Sequence, residues 1–196
     1  MISHKFKYIF VHIPKTGGRS IEQAFLKDYG FKNRLDAKVF EVFDIFPDGE
    51  ERKKLHSTGI FPDHKLLSEY DIPENYNSFT VIRDPIDRAV SFYGWFAYTK
   101  YNTFTEFCKD IKNYKINNWF GMMTRNQVDF VIDKNGNEID HIVNIENIHN
   151  FCKDKFNFDI PHLNKSKIQK SEIEVTDESK DVLRKIYKQD YEYFNF

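Results

Sequence analysis

The sequence predicts an α/β fold in which a central, mainly parallel sheet is flanked by helices. Three observations carry this expectation. Short apolar runs alternate with segments of helical periodicity along the chain. The first run passes through a double-glycine turn directly into a helix. The second ends on Asp84-Pro85, and proline suits a first helical turn. No repeat and no Pro/Gly/Ser-rich linker divides the 196 residues, so a single domain over residues 1–196 is expected.

Phe6 to Ile13 is apolar and aromatic with little polar interruption, as a strand buried on both faces should be. Arg19 to Tyr29 follows with Ile21, Ala24 and Phe25 at helical spacing. Val39 to Phe43 is a candidate strand, and Asp48 to His64 is polar and fits neither period. Ser78 to Arg83 is the next strand, followed by a helix that carries Ile86, Val90, Tyr93 and Ala97 on one face. Thr105 to Ile111 and Ile148 to Lys155 are helix-like. Between them, Phe130 to Asp133 and Ile142 to Ile145 flank Lys134-Asn-Gly-Asn137, a hairpin signal. Thr176 with Asp177 and Glu178 reads as a capped helix start.

Charge and cysteine content exclude several classes. Twenty-nine Lys and Arg balance 30 Asp and Glu, a net charge of −1, which excludes a globally basic nucleic-acid binder. Any polyanion must therefore be met by a local cluster. Only seven of the basic residues are Arg, so their positions are informative. Two lone cysteines, Cys108 and Cys152, exclude a disulfide framework or a CxxC zinc site. No apolar run is long enough to span a membrane, and no signal-peptide pattern opens the chain, so a cytoplasmic protein with no membrane partner is expected.

The turn after the first strand reads His12-Ile-Pro-Lys15-Thr16-Gly17-Gly18-Arg19-Ser20. Adjacent glycines let the backbone approach an anion, and the following helix start offers unpaired N–H groups. Lys15 adds a full charge, and Thr16 and Ser20 add hydroxyls. The order differs from a Walker A loop, where Lys follows the glycines. The second strand also ends in Arg83 rather than in a magnesium-binding carboxylate. ATP or GTP hydrolysis by a P-loop kinase or NTPase is thus the weaker alternative. Arg83 falls at the carboxyl end of its strand, where open α/β sheets bind ligands. Ser91 lies about two helical turns further on, with Arg88 three residues before it. A guanidinium fork with a hydroxyl suits a second phosphate.

Pro-Lys-Thr-Gly-Gly-x-Ser after a first strand, with Arg83-Asp-Pro-x-x-Arg88-x-x-Ser91-x-Tyr93 downstream, resembles the carbohydrate (family 2 type) sulfotransferases. Ile160-Pro-His162-Leu-Asn164-Lys-Ser166, Ile145-Glu146-Asn147 and the ending Ile186 to Phe194 resemble later segments of that family, so the likeness spans nearly the whole chain. It implies a P-loop-NTPase-like sulfotransferase fold. It also implies 3′-phosphoadenosine 5′-phosphosulfate (PAPS) as donor, 3′-phosphoadenosine 5′-phosphate (PAP) as product, and no metal. Lys15, Thr16, Gly17, Gly18, Arg19 and Ser20 would hold the 5′ end of the nucleotide. Arg83 and Ser91 would hold its 3′-phosphate, with Asn164 and Ser166 also on the nucleotide side. Arg19 departs from the family, where Thr is commoner; it exchanges a hydroxyl for another donor.

Sulfuryl transfer to a hydroxyl needs a cation at the bridging oxygen and a base for the acceptor proton. Lys15 suits the first role. For the second, Lys54-Leu-His56-Ser-Thr58 resembles the family segment that carries the acceptor-activating histidine, which singles out His56, with His64 as runner-up. His12, inside the first strand, reads as packing. The acceptor, expected to be a carbohydrate or a small molecule bearing a hydroxyl, is assigned to His64, Gln127 and Trp95. Gln127 matches a family position, and the ring of Trp95 suits a sugar face. A nucleotide-binding module of the same fold without catalysis is the remaining alternative.

Overall fold

A computed structural model describes residues 1–32, 62–114, 118–161 and 167–196. It is a mixed α/β fold with a four-stranded, mostly parallel sheet flanked by helices. The strands are β1 (Ile2–Ser3), β2 (Tyr8–Val11), β3 (Asn77–Ile82) and β4 (His141–Asn144), in that spatial order. β1 is antiparallel to β2. β2 and β3 are parallel, with Phe10 opposite Phe79, and so are β3 and β4, with Val81 opposite Val143. The carboxyl ends of β2 and β3 therefore open on one edge, which positions the site.

β2 alternates as a strand covered on both faces must. Ile9, Val11 and Ile13 pack with Leu67, Tyr70, Ile82, Phe130 and Val131 on one side. Phe10 packs with Phe25, Phe79, Val81, Cys152 and Phe156 on the other. That second layer is formed by α1 (Gly18–Asp28) and a helix at Ile148–Phe156. A third cluster is helical. It joins α2 (Pro85–Trp95), α3 (Phe104–Asp110), α4 (Trp119–Thr124) and a carboxy-terminal pair, through residues such as Phe92, Phe107 and Leu183. In chain order, the Ile148–Phe156 helix is α5, and the pair is α6 (Asp177–Ile186) and α7 (Lys188–Phe194).

The local signals account for the helix starts. Asp84 caps α2, accepting from the Asp87 N–H at 2.9 Å with Pro85 in the first turn. Thr176 caps α6 through the Ser179 N–H. The predicted Asn-Gly hairpin shrinks to a single bridge, Ile132 to Glu138. Asp133 closes the turn by accepting from the Asn135 and Asn137 N–H groups. His141–Asn144 instead extends the parallel sheet as β4. The predicted strand Val39 to Phe43 lies outside the described residues.

Candidate active site

The turn between β2 and α1 is built by its own backbone. Lys15 and Gly17 both sit in the left-handed region, at φ 68° and 88°, and turn the chain twice between β2 and α1. Gly17 caps α1 without any side-chain hydrogen bond. Thr16 is buried and donates its hydroxyl to the Ile13 carbonyl at 2.9 Å, so it braces the turn from beneath. Gly18 is required for space: a Cβ there would lie 2.0 to 2.7 Å from atoms of the His12 ring.

That ring is pinned. His12 directly follows β2, and the Phe10 ring stacks on it at 5.6 Å between centroids. Its Nδ1 donates to Glu22 Oε1 of α1 at 2.8 Å, and both groups are buried. Glu22 Oε2 in turn faces the Arg19 guanidinium at 3.6 Å. His12 is therefore packing, as its place in the strand suggested, and also the floor of the loop. Its pairing with Glu22 is invisible in the sequence, because the two residues meet only once the loop has folded.

The second motif arrives from β3 and α2. Arg83 follows β3, and its Nη1 donates to the Lys15 carbonyl at 3.4 Å. Lys15 extends across the cleft, its ammonium 4.3 Å from the centroid of the Trp95 indole at the end of α2. Burial first, and the Arg83 charge second, push the Lys15 ammonium down to about 8. Ser91 faces the same cleft one helical turn before Trp95. The enclosed volume is about 670 Å³. Lys15, Thr16, Gly17, Gly18, Arg19, Ser20, Arg83, Ser91, His64 and Trp95 all line it.

His64 lies in the short turn Pro62–His64, its ring 4.5 Å from that of His12. Its Nδ1 is 2.9 Å from the His12 carbonyl, which can only accept, so Nδ1 carries the hydrogen. Enclosure, and then the His12 ring, push the imidazole down to about 3, so it stays neutral.

Gln127 and Arg88 stand away from the cleft. Gln127 is fully buried. Its Oε1 accepts from the Arg83 N–H at 3.0 Å and its Nε2 donates to the Arg83 carbonyl at 2.8 Å. Its own N–H donates to Asp190 of α7 at 3.0 Å. Gln127 thus faces Arg83 and Asp190 rather than the acceptor space assigned to it from sequence. Arg88, read as sharing a face with Ser91, turns inward to donate to the Arg125 carbonyl and lies over the Tyr187 ring. His56, Asn164 and Ser166 lie outside the described residues. Pro161 and Ile168, on either side of the last two, line the cleft. Among the described residues no group of three or more His, Cys, Asp or Glu could hold a metal, and no helix is long and apolar enough to cross a membrane.

A glycine turn and a lysine after β2, joined to an arginine after β3, suit an anion. The profile of the sulfotransferase family matches residues 1–196. The chain belongs to the sulfotransferase family. Neither the curated proteins nor the solved structures contain a match to it. A sulfotransferase takes its sulfuryl group from a nucleotide donor and gives it to a hydroxyl acceptor, and Lys15, Arg19 and Arg83 line the cleft.

Proposed function

We propose that this sulfotransferase moves the sulfuryl group of PAPS to a hydroxyl of a carbohydrate or small-molecule acceptor by in-line displacement, releasing PAP. The observation that carries the reading is the Arg83 to Lys15 contact. It joins two anion-binding motifs 68 residues apart in the sequence into one cleft. PAPS carries anionic groups at both its 5′ and 3′ positions, so it calls for two such motifs at once. The exposed main chain at Gly17 fits a phosphate that must lie against main chain.

When bound, the donor supplies a sulfuryl group on an oxygen whose leaving partner is a phosphate. Lys15 places its ammonium against that oxygen and stabilises the charge that gathers there. The N–H groups opening α1, with Arg19 and Ser20, hold the 5′ end. Arg83 and Ser91 hold the 3′-phosphate, with Asn164 and Ser166 as further contacts. The acceptor proton goes to His56. His64 is the poorer base, because an imidazole pushed down to about 3 holds a proton weakly, so it serves the acceptor as a neutral hydrogen-bonding group. No metal is called for.

PAP should raise the melting temperature of the protein, while ATP with magnesium should not. Stabilisation by ATP alone would favour a kinase or NTPase. Arg83→Ala should weaken PAP far more than its 3′-dephospho analogue, and equal losses would remove Arg83 from the 3′-phosphate. His56→Ala should lose most turnover yet still bind PAP.

A further inference from the structure

Trp95 stands where an acceptor platform is expected, yet its indole face is already occupied by a cation. The Lys15 ammonium lies 4.3 Å from the ring centroid, well inside the range of a cation–π contact. The ring itself is held from its other sides by Phe92, Phe96 and Trp119, at 5.8 to 6.4 Å between centroids. At the other end of the same residue, the Lys15 carbonyl accepts from Arg83. The lysine is thus fixed at both ends, its main chain by an arginine from β3 and its side chain by a tryptophan from α2.

An ammonium has three N–H donors, and contact with a ring face uses one side of it. The remaining donors stay available to an oxygen in the cleft. The indole also replaces part of the hydration that an enclosed ammonium loses. Ser91, one helical turn earlier, lines the same cleft, so the two residues share one face of α2.

We propose that Trp95 is a positioning residue for Lys15: its indole face holds the ammonium aimed across the cleft, so that the lysine is in place before the donor enters. This rests on the donor reading above, and it assigns Trp95 to the donor rather than to the acceptor. Without the ring, Lys15 must be ordered at the moment of binding, which weakens the anion's hold.

Two measurements test it, the first without ligand. In lysine-selective carbon-13 spectra, the Lys15 side-chain methylene protons, assigned by their loss in Lys15→Met, should be shifted upfield by the indole ring current. The shift should persist in part in Trp95→Phe and vanish in Trp95→Leu. In calorimetric titration with PAP, Trp95→Leu should bind about fivefold more weakly, and Trp95→Phe within about twofold of the parent, in line with a contact worth about 1 kcal/mol. An unshifted Lys15 in the parent protein overturns the pairing. Unchanged PAP affinity in Trp95→Leu overturns the positioning role and returns Trp95 to the acceptor. If Trp95→Leu does not fold, the parent spectrum decides the pairing and Trp95→Phe against Trp95→Met decides the role. A parent protein that shows the shift but binds no PAP supports the pairing and overturns the donor reading.

Discussion

Lys15 must be a cation to meet an anion, yet it is enclosed beside Arg83, and both conditions favour the neutral amine. The consequence has two opposite signs. In the ligand-free protein its pKa, about 8, is below that of the unfolded chain, so between about 8 and the ordinary lysine value the unfolded state binds more protons. Stability from this group therefore rises with pH across that window. Donor affinity moves the other way. PAP should bind progressively more weakly above about pH 8, by up to about tenfold per unit, until the higher pKa of the complex is passed. Calorimetry across pH 7 to 10 should show this limb, and Lys15→Met should lack it. The lysine was legible as a ligand because it stands inside a glycine turn. Its neighbour Trp95 was legible only as an aromatic ring, since no spacing rule links residue 15 to residue 95.

The β2–loop–α1 unit shows how far local pattern reaches. Its strand, turn and helix follow from the apolar run, the paired glycines and the spacing of Ile21, Ala24 and Phe25. The reason Gly18 must be glycine does not, because the obstacle is the ring of His12, which follows the preceding strand. That ring cannot swing aside while Glu22 and Phe10 hold it. Gly18→Ala should destabilise the protein by about 1–3 kcal/mol, a cost of overpacking, and should weaken PAP binding as the loop shifts. The cost should shrink in a His12→Ala background, and denaturant melts of the four proteins of that cycle would measure the coupling. The Asn-Gly segment illustrates the opposite limit. Its turn forms as the dipeptide predicts, but the following strand finds a better partner in β3, so long-range pairing overrides the local hairpin. Arg88 is a similar case: its helical spacing from Ser91 is correct, but a buried carbonyl and the Tyr187 ring decide where it points.

Across the whole molecule, the two cysteines lie in different cores, Cys152 on the sheet-facing side of α5 and Cys108 among the helices. Burial pushes both thiols up to about 12, so neither should react with a disulfide reagent while the fold is closed. If the cores melt together, Cys108→Ala and Cys152→Ala variants should label at the same rate in partial denaturant, read by thiol absorbance. Faster labelling of one would show that its core opens alone. The tie between distant parts runs through Gln127, which meets Arg83 across 44 residues and Asp190 across 63. Burial raises the Asp190 carboxyl, while Arg88 and the Gln127 and Val128 N–H groups oppose the shift. Gln127→Leu should weaken PAP binding without touching the cleft, because the end of β3 loses its brace.

The side chain of Gln127 does for Arg83 what a neighbouring strand would do, offering an acceptor to its N–H and a donor to its carbonyl at once. Position 127 is in effect a one-residue fifth strand spelled with a side chain. Glutamate would supply only acceptors when ionised, leucine neither, and asparagine falls one methylene short. A library randomised at this codon and selected for PAP binding should therefore return a vocabulary of nearly one word.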